Sequence, residues 1–195
     1  MAETWGPDGP PEEAYSRVTR DLAVVTAGFA EYLENLPGRL TAEYDCVMRE
    51  ADQGELERLS EAGSRAIDCF VIAPVDPRSA PLLIARDSFE GGTSAVVGLG
   101  HAIDEMVPDC NCDACDGDSE SMIAELTELI DVVTNGFREF RRPYVADPDE
   151  LLHKGPWLQI GYEVNGEEVW SRANHHIRGE TFSVSWRPWA RLSPG

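Results

Sequence analysis

The sequence predicts an α+β fold: a mostly antiparallel sheet in a single domain, with two long amphipathic helices at about residues 13–36 and 119–141 packed on one face. Three observations lead there. Apolar residues recur at three- and four-residue steps in two separate stretches, the mark of helices with one buried face. Between and after them lie short apolar or alternating runs bounded by Gly and Pro, the mark of strands. An Asn-Gly pair separates two of these runs, and strict β-α-β alternation is absent.

Residues 1–12 are rich in Pro and Gly and read as a loose lead-in to a domain spanning 13–195. Tyr15, Val18, Leu22, Val25, Phe29, Leu33 and Leu36 then form the first helical stripe, which Pro37-Gly38 is expected to stop. Leu40, Ala42, Tyr44, Cys46 and Met48 alternate with Arg39, Thr41, Glu43, Asp45 and Arg49, a half-buried strand. Residues 51–65 are polar and predict a loop with one helical turn around Leu56 and Leu59. Two apolar runs, 66–73 and 82–89, flank a proline-bounded connector and predict paired strands. Gly91-Gly92 turns the chain into 93–107, one long extended stretch or two strands broken near Gly98 and Gly100.

Met122, Leu126, Leu129, Ile130, Val133, Phe137 and Phe140 form the second helical stripe, with Asp118 or Ser119 as its N-cap. Residues 142–155 connect it to a hairpin, 157–164 and 167–172, whose Asn165-Gly166 suits the positive φ angles of a type I′ turn. Phe182, Val184 and Trp186 alternate as a last short strand. Trp157 and Trp170 suit a core, whereas Trp189, between Arg187 and Arg191, suits an exposed contact.

Hydrophobic residues at 42% and charged residues at 27% fit a folded globular chain. No apolar run is long enough to span a membrane. The first residues show neither the basic nor the apolar part of a signal peptide, so the expected location is the cytoplasm. There five cysteines would stay thiols or bind metal.

The net charge is −20, and it is uneven. Residues 1–152 hold 32 acids against 11 bases, while residues 153–195 hold four acids and five bases. Twelve acids fall between Arg86 and Arg138 with no Lys or Arg among them. Such a field repels phosphate backbones, which argues against direct nucleic-acid binding and suits a basic protein partner or cations. Solubility alone, a salty cytosol or a GC-rich genome would also account for the acid excess and the single lysine among fifteen arginines.

Distinctive chemistry concentrates in Cys110-x-Cys112-x-x-Cys115, ahead of the second helix. Thiolates at these spacings can share one tetrahedral zinc, with His101, Cys46, Cys69, Asp109 or Asp116 as candidate fourth ligand; His101 heads that set. A dithiol–disulfide pair, Cys112 with Cys115, is a second reading. Asp109, Asp113, Asp116 and Asp118 oppose it, because no basic residue adjoins them in the chain and repulsion disfavours the thiolate. A third is calcium: Asp109-x-Asn111-x-Asp113 with Glu120 follows the EF-hand pattern, except that Ala114 stands where glycine is needed and no helix enters the loop. The plain alternative is three small, partly buried thiols in a turn that caps the helix. His175-His176 reads as a polar loop or a basic patch. No nucleophile elbow, phosphate loop, dinucleotide fingerprint or zinc-protease helix is present.

The segments from Pro11 to Thr19 (Pro-Glu-Glu-Ala-Tyr-Ser-Arg-Val-Thr) and from Cys110 to Asp116 (Cys-Asn-Cys-Asp-Ala-Cys-Asp), with Trp170-Ser-Arg172, resemble an uncharacterised bacterial domain family over roughly residues 10–172. The resemblance implies membership and assigns no activity. The expectation is therefore a non-enzymatic protein that binds a basic macromolecule through an acidic face. Its rival is a metal- or thiol-dependent enzyme, or a zinc-stabilised module, built on Cys110, Cys112 and Cys115.

Overall fold

The computed structural model describes residues 11–59, 68–89, 91–108, 110, 112, 113, 115, 117–143, 158–174 and 180–193. A 3-10 turn, Glu12–Ser16, is followed by α1 (Leu22–Val25), α2 (Ala27–Glu43), β1 (Cys46–Glu50) and α3 (Gln53–Arg58). Next come β2 (Asp68–Pro74), β3 (Leu82–Phe89), β4 (Gly92–Leu99) and β5 (Ile103–Val107). The chain continues through α4 (Ser119–Asn135), β6 (Arg138–Pro143), β7 (Leu158–Val164), β8 (Glu167–Asn174) and β9 (Phe182–Ser185). The fold is α+β, and its strands divide between two antiparallel sheets, ordered β1-β2-β3-β4-β5 and β8-β7-β6-β9.

The apolar runs that became β2, β3 and β4 bury both of their faces. On the five-stranded sheet Phe70, Ile72, Leu82, Ile84, Ala95, Val97 and Leu99 face α2 and α4. The opposite face carries Val71, Leu83, Ala85 and Val96, covered by Leu59 at the end of α3. Ile160 and Tyr162 of β7, with Phe137, join the first of these clusters, so one core serves both sheets. At the β7–β8 hairpin, Asn165 and Gly166 have φ of 53° and 85°, as a type I′ turn requires.

Both helical stripes end elsewhere than their local signals suggest. The first is interrupted at Thr26, whose hydroxyl donates to the Leu22 carbonyl at 2.8 Å and accepts from the Thr93 amide at 2.8 Å. It then runs straight through Pro37 to Glu43. A proline inside a helix costs about 3 kcal/mol. Burying Leu36 and Leu40 contributes roughly 1.5–3 kcal/mol each and offsets that cost. Leu40 thus closes the helical stripe instead of opening a strand, and β1 starts only at Cys46. The second stripe ends at Asn135, and Phe137 and Phe140 belong to the entry and body of β6. Gly136 makes that turn at φ 82°, where a Cβ would lie 2.8 Å from both the Pro188 nitrogen and the Trp186 carbonyl oxygen.

The C-terminal segment crosses back from the second sheet to the first. Trp189 is buried, not exposed as its basic neighbours suggested: its indole donates to the Ala80 carbonyl at 2.9 Å and meets Tyr44 edge-on at 5.6 Å. Trp157 and the side chain of Trp170 lie outside the described residues.

Glu139 of β6 is fully buried and reaches the β4–β5 turn. Its carboxylate accepts from the His101 amide at 2.9 and 3.1 Å, the Ala102 amide at 2.5 Å and the Trp186 indole at 3.0 Å. Removing the acceptor strands the buried Ala102 amide, at about 1–3 kcal/mol, and takes a partner worth about 1 kcal/mol from each of the part-buried His101 amide and Trp186 indole. Glu139→Ala should therefore lower the unfolding free energy by about 3 kcal/mol or more, against about 1 kcal/mol for Trp186→Phe; equal effects in denaturant titration would count against this division.

Candidate metal centre

The cysteine loop is positioned by α4 behind it and by the N-terminal segment in front. Asp118 caps α4 through a reciprocal box: its carboxylate accepts from the Ser121 amide at 2.9 Å, and the Ser121 hydroxyl accepts from the Asp118 amide at 2.9 Å. The Ser119 hydroxyl donates to the Val25 carbonyl at 2.6 Å and accepts from the Phe29 amide at 3.2 Å. The start of α4 is thereby fixed against the junction of α1 and α2.

Residues 17–20 close over the loop. Asp113 accepts from the Thr19 amide at 2.9 Å, the Thr19 hydroxyl at 3.0 Å and Arg17 Nε at 2.9 Å, and its own amide donates to the Arg17 carbonyl at 2.8 Å. The Thr19 amide leads the causes that hold this carboxyl below the ordinary Asp range, with Arg17 adding to it. Arg20 donates to the Gly117 carbonyl at 2.8 Å and the Cys112 carbonyl at 3.3 Å. The loop therefore does have basic company, brought from more than ninety positions away in the chain. Asp113, moreover, is committed to Arg17 and Thr19 and not turned to an EF-hand ion. Asp109, Asn111 and Asp116 lie outside the described residues.

Within this frame the three sulfur atoms lie within 4.8 Å of one another. Cys112 is buried, Cys110 half-buried and Cys115 exposed. Cys112 Sγ donates to Cys115 Sγ at 3.5 Å, and the Cys112 amide donates to Cys110 Sγ at 3.2 Å. Four sulfurs around a tetrahedral zinc at about 2.3 Å are separated by about 3.8 Å. The observed spread brackets that value. The bond from Cys112 leads the causes that push the Cys115 thiol up to about 12, followed by burial and by Cys110. Cys115 is a poor source of thiolate by itself; a divalent cation would reverse the balance.

The structure does not bring His101 to the thiols. It sits in the β4–β5 turn with its ring 4.7 Å from Trp186, and β5, roughly 14 Å long at about 3.4 Å per residue, separates that turn from the cysteine loop. Cys46 lies at the start of β1, 3.5 Å from the Leu40 carbonyl, and Cys69 lies in β2. Among the described residues no fourth His, Cys, Asp or Glu joins the three sulfurs. His175 and His176 lie outside the described residues.

Sequence reasoning missed Arg17, Thr19 and Arg20, which hold the loop. The only signal was the sequence pattern at Pro11–Thr19, which carried no hint of where that segment docks.

These features define an α+β chain with a clustered-thiol loop clamped between its N-terminal segment and a capped helix. The chain belongs to the family of unknown function DUF6226, whose model matches residues 2–193. No curated protein and no solved structure matches it. Among the described residues no helix is long and apolar enough to cross a membrane.

Asp113→Asn should loosen the clamp, because the amide keeps the size of the side chain and loses its charge for Arg17. Amide hydrogen exchange at Thr19 should accelerate about tenfold or more while exchange in α4 stays slow. Unchanged protection at Thr19 would mean that the segment is held by other contacts.

Proposed function

We propose that the protein is a non-enzymatic binding module in which Cys110, Cys112 and Cys115 hold one soft divalent cation, zinc by preference. The convergence of three sulfurs within 4.8 Å carries this reading. Borderline-soft zinc favours thiolate, and three protein ligands leave a fourth position for water or a carboxylate. The role that fits best is structural: an ion here would tie the loop between β5 and α4 at the point where residues 17–20 dock. The disulfide reading is weaker, since the Cys112–Cys115 contact of 3.5 Å must close to about 2.05 Å and the Cys115 thiol does not favour ionisation.

A second reading concerns the acidic surface, and the distribution of ion pairs favours it. Arg17, Arg49, Arg78, Arg86, Arg138, Arg142 and Arg191 all engage acids within the chain. Among the described residues, the exposed Glu120, Glu128 and Asp131 on α4 take part in none of these ion pairs. A basic protein partner is the class of molecule that this surface would attract.

Protein purified without chelator or added metal should carry about one zinc per chain. Cys110→Ser, Cys112→Ser and Cys115→Ser should each lower the stoichiometry, and a zinc chelator should lower the melting temperature of the parent protein. Metal-free protein with five freely titrating thiols, and no uptake of added zinc, would remove the proposal.

A further inference from the structure

A groove of about 320 Å³ opens between α2 and the β1–β3 corner of the five-stranded sheet, on a side of the molecule built by other elements than the cysteine loop. Its floor includes Leu33 and Phe70, and its walls carry Glu34, Glu50 and Asp68. The register explains this company: Glu50 pairs with Phe70 and Asp68 pairs with Arg86, so all four project to the face that α2 covers. Arg86 is the one base in the lining, so three carboxylates face one guanidinium.

That guanidinium does not satisfy them. Arg86 lies 3.4 Å from Glu34 and 3.6 Å from Asp68, beyond the roughly 2.7–2.9 Å of a tight charge-assisted bond. Among the described residues Glu50 makes no ion pair. The groove thus offers an apolar floor for a methylene chain and surplus negative charge at its rim, the pattern suited to an arginine or lysine side chain.

The adjoining backbone points to the form of the ligand. β1 is an outer strand of its sheet, hydrogen-bonded to β2 on one side. The C-terminal segment covers only its beginning, where the Asp45 amide donates to the Ala190 carbonyl at 2.8 Å. Beyond that point Val47 and Met48 are 55% and 53% exposed, unusual for apolar residues on a sheet edge. An outer strand of this kind is a template for an added strand.

We propose that β1 and its groove receive an extended, basic segment of a partner protein, which pairs with the β1 backbone and places one arginine or lysine side chain between Glu50 and Asp68. The proposal rests on the acidic-surface reading and gives it a location. Arg86 occupies the place of the incoming cation in the free protein and competes with it.

A labelled peptide of alternating Val and Arg is the probe, in buffer of about 0.05 M ionic strength, where exposed charges are little screened. The Glu50→Gln/Asp68→Asn protein should bind it about tenfold more weakly than the parent. A control with the same change in charge, Glu120→Gln/Glu128→Gln on α4, should shift binding less than about twofold. Arg86→Gln, freeing two carboxylates, should tighten it, and the amide resonances perturbed in the parent should centre on 47–50 and 68–70. Equal weakening by the groove and control pairs would overturn the groove while leaving a diffuse acidic surface as the attractor. No binding of the peptide by the parent protein would overturn the groove and the acidic-surface reading together.

Discussion

Burying a carboxylate is costly unless donors replace its water, and the Glu139 side chain is where this protein meets that condition. Its oxygens collect backbone donors from the β4–β5 turn and the indole of Trp186, so an element of each sheet and the start of the C-terminal segment meet at one charge. Arg58 comes from a third direction, donating to the Gly100 carbonyl in the same turn. Burial leads the effects on this guanidinium and lowers its pKa, against the opposing pull of Asp104 and Glu139. Apolar contact alone would let the two sheets slide. A charge with fixed donors admits one arrangement, and the positive φ of Gly100, 58°, belongs to it: a Cβ there would fall 2.4 Å from Glu139 Oε2.

The C-terminal segment extends the same constraint across the molecule. The Trp186 amide donates to the Phe137 carbonyl at 2.8 Å, the Arg187 amide to Arg78 at 2.8 Å, and the Trp189 amide to Thr134 at 2.9 Å. The Leu192 amide then reaches the Glu43 carbonyl at 2.9 Å, at the end of α2. Few of these groups lie in a regular strand, yet their backbone polar groups are paired as burial demands. The strap joins the ends of α2 and α4, which explains how both helices end where they do.

Elements whose structure is decided by neighbours in the chain were legible in the sequence. The runs that became β2 and β3 carry their own apolar pattern, Asn165-Gly166 can satisfy its turn unaided, and Asp118 caps α4 through Ser121, only three residues on. Features decided by distant partners were not legible. Pro37 reads as a stop until the burial of Leu36 and Leu40 is weighed against it. Phe137 and Phe140 fit a helical period, but Gly136 and the returning strap turn them into the second sheet. Glu139, one acid within an aromatic segment, gives no local sign that its donors lie some forty positions back.

The cysteine loop shows the same division at the level of charge. In sequence its thiols stand among acids, a setting that opposes both thiolate formation and any anionic complex. In space Arg17 and Arg20 join them, and Asp113 spends its charge on Arg17 and Thr19. A zinc ion held by three thiolates would carry one net negative charge, so a nearby guanidinium favours the loaded site while the surrounding acids favour entry of the cation. Under that proposal, steering by the acids and retention by the arginines would be compatible, because the first would act over a Debye length and the second at short range. The N-terminal segment is thereby more than a cover for the loop: it supplies the positive charge that the sequence around the cysteines lacks.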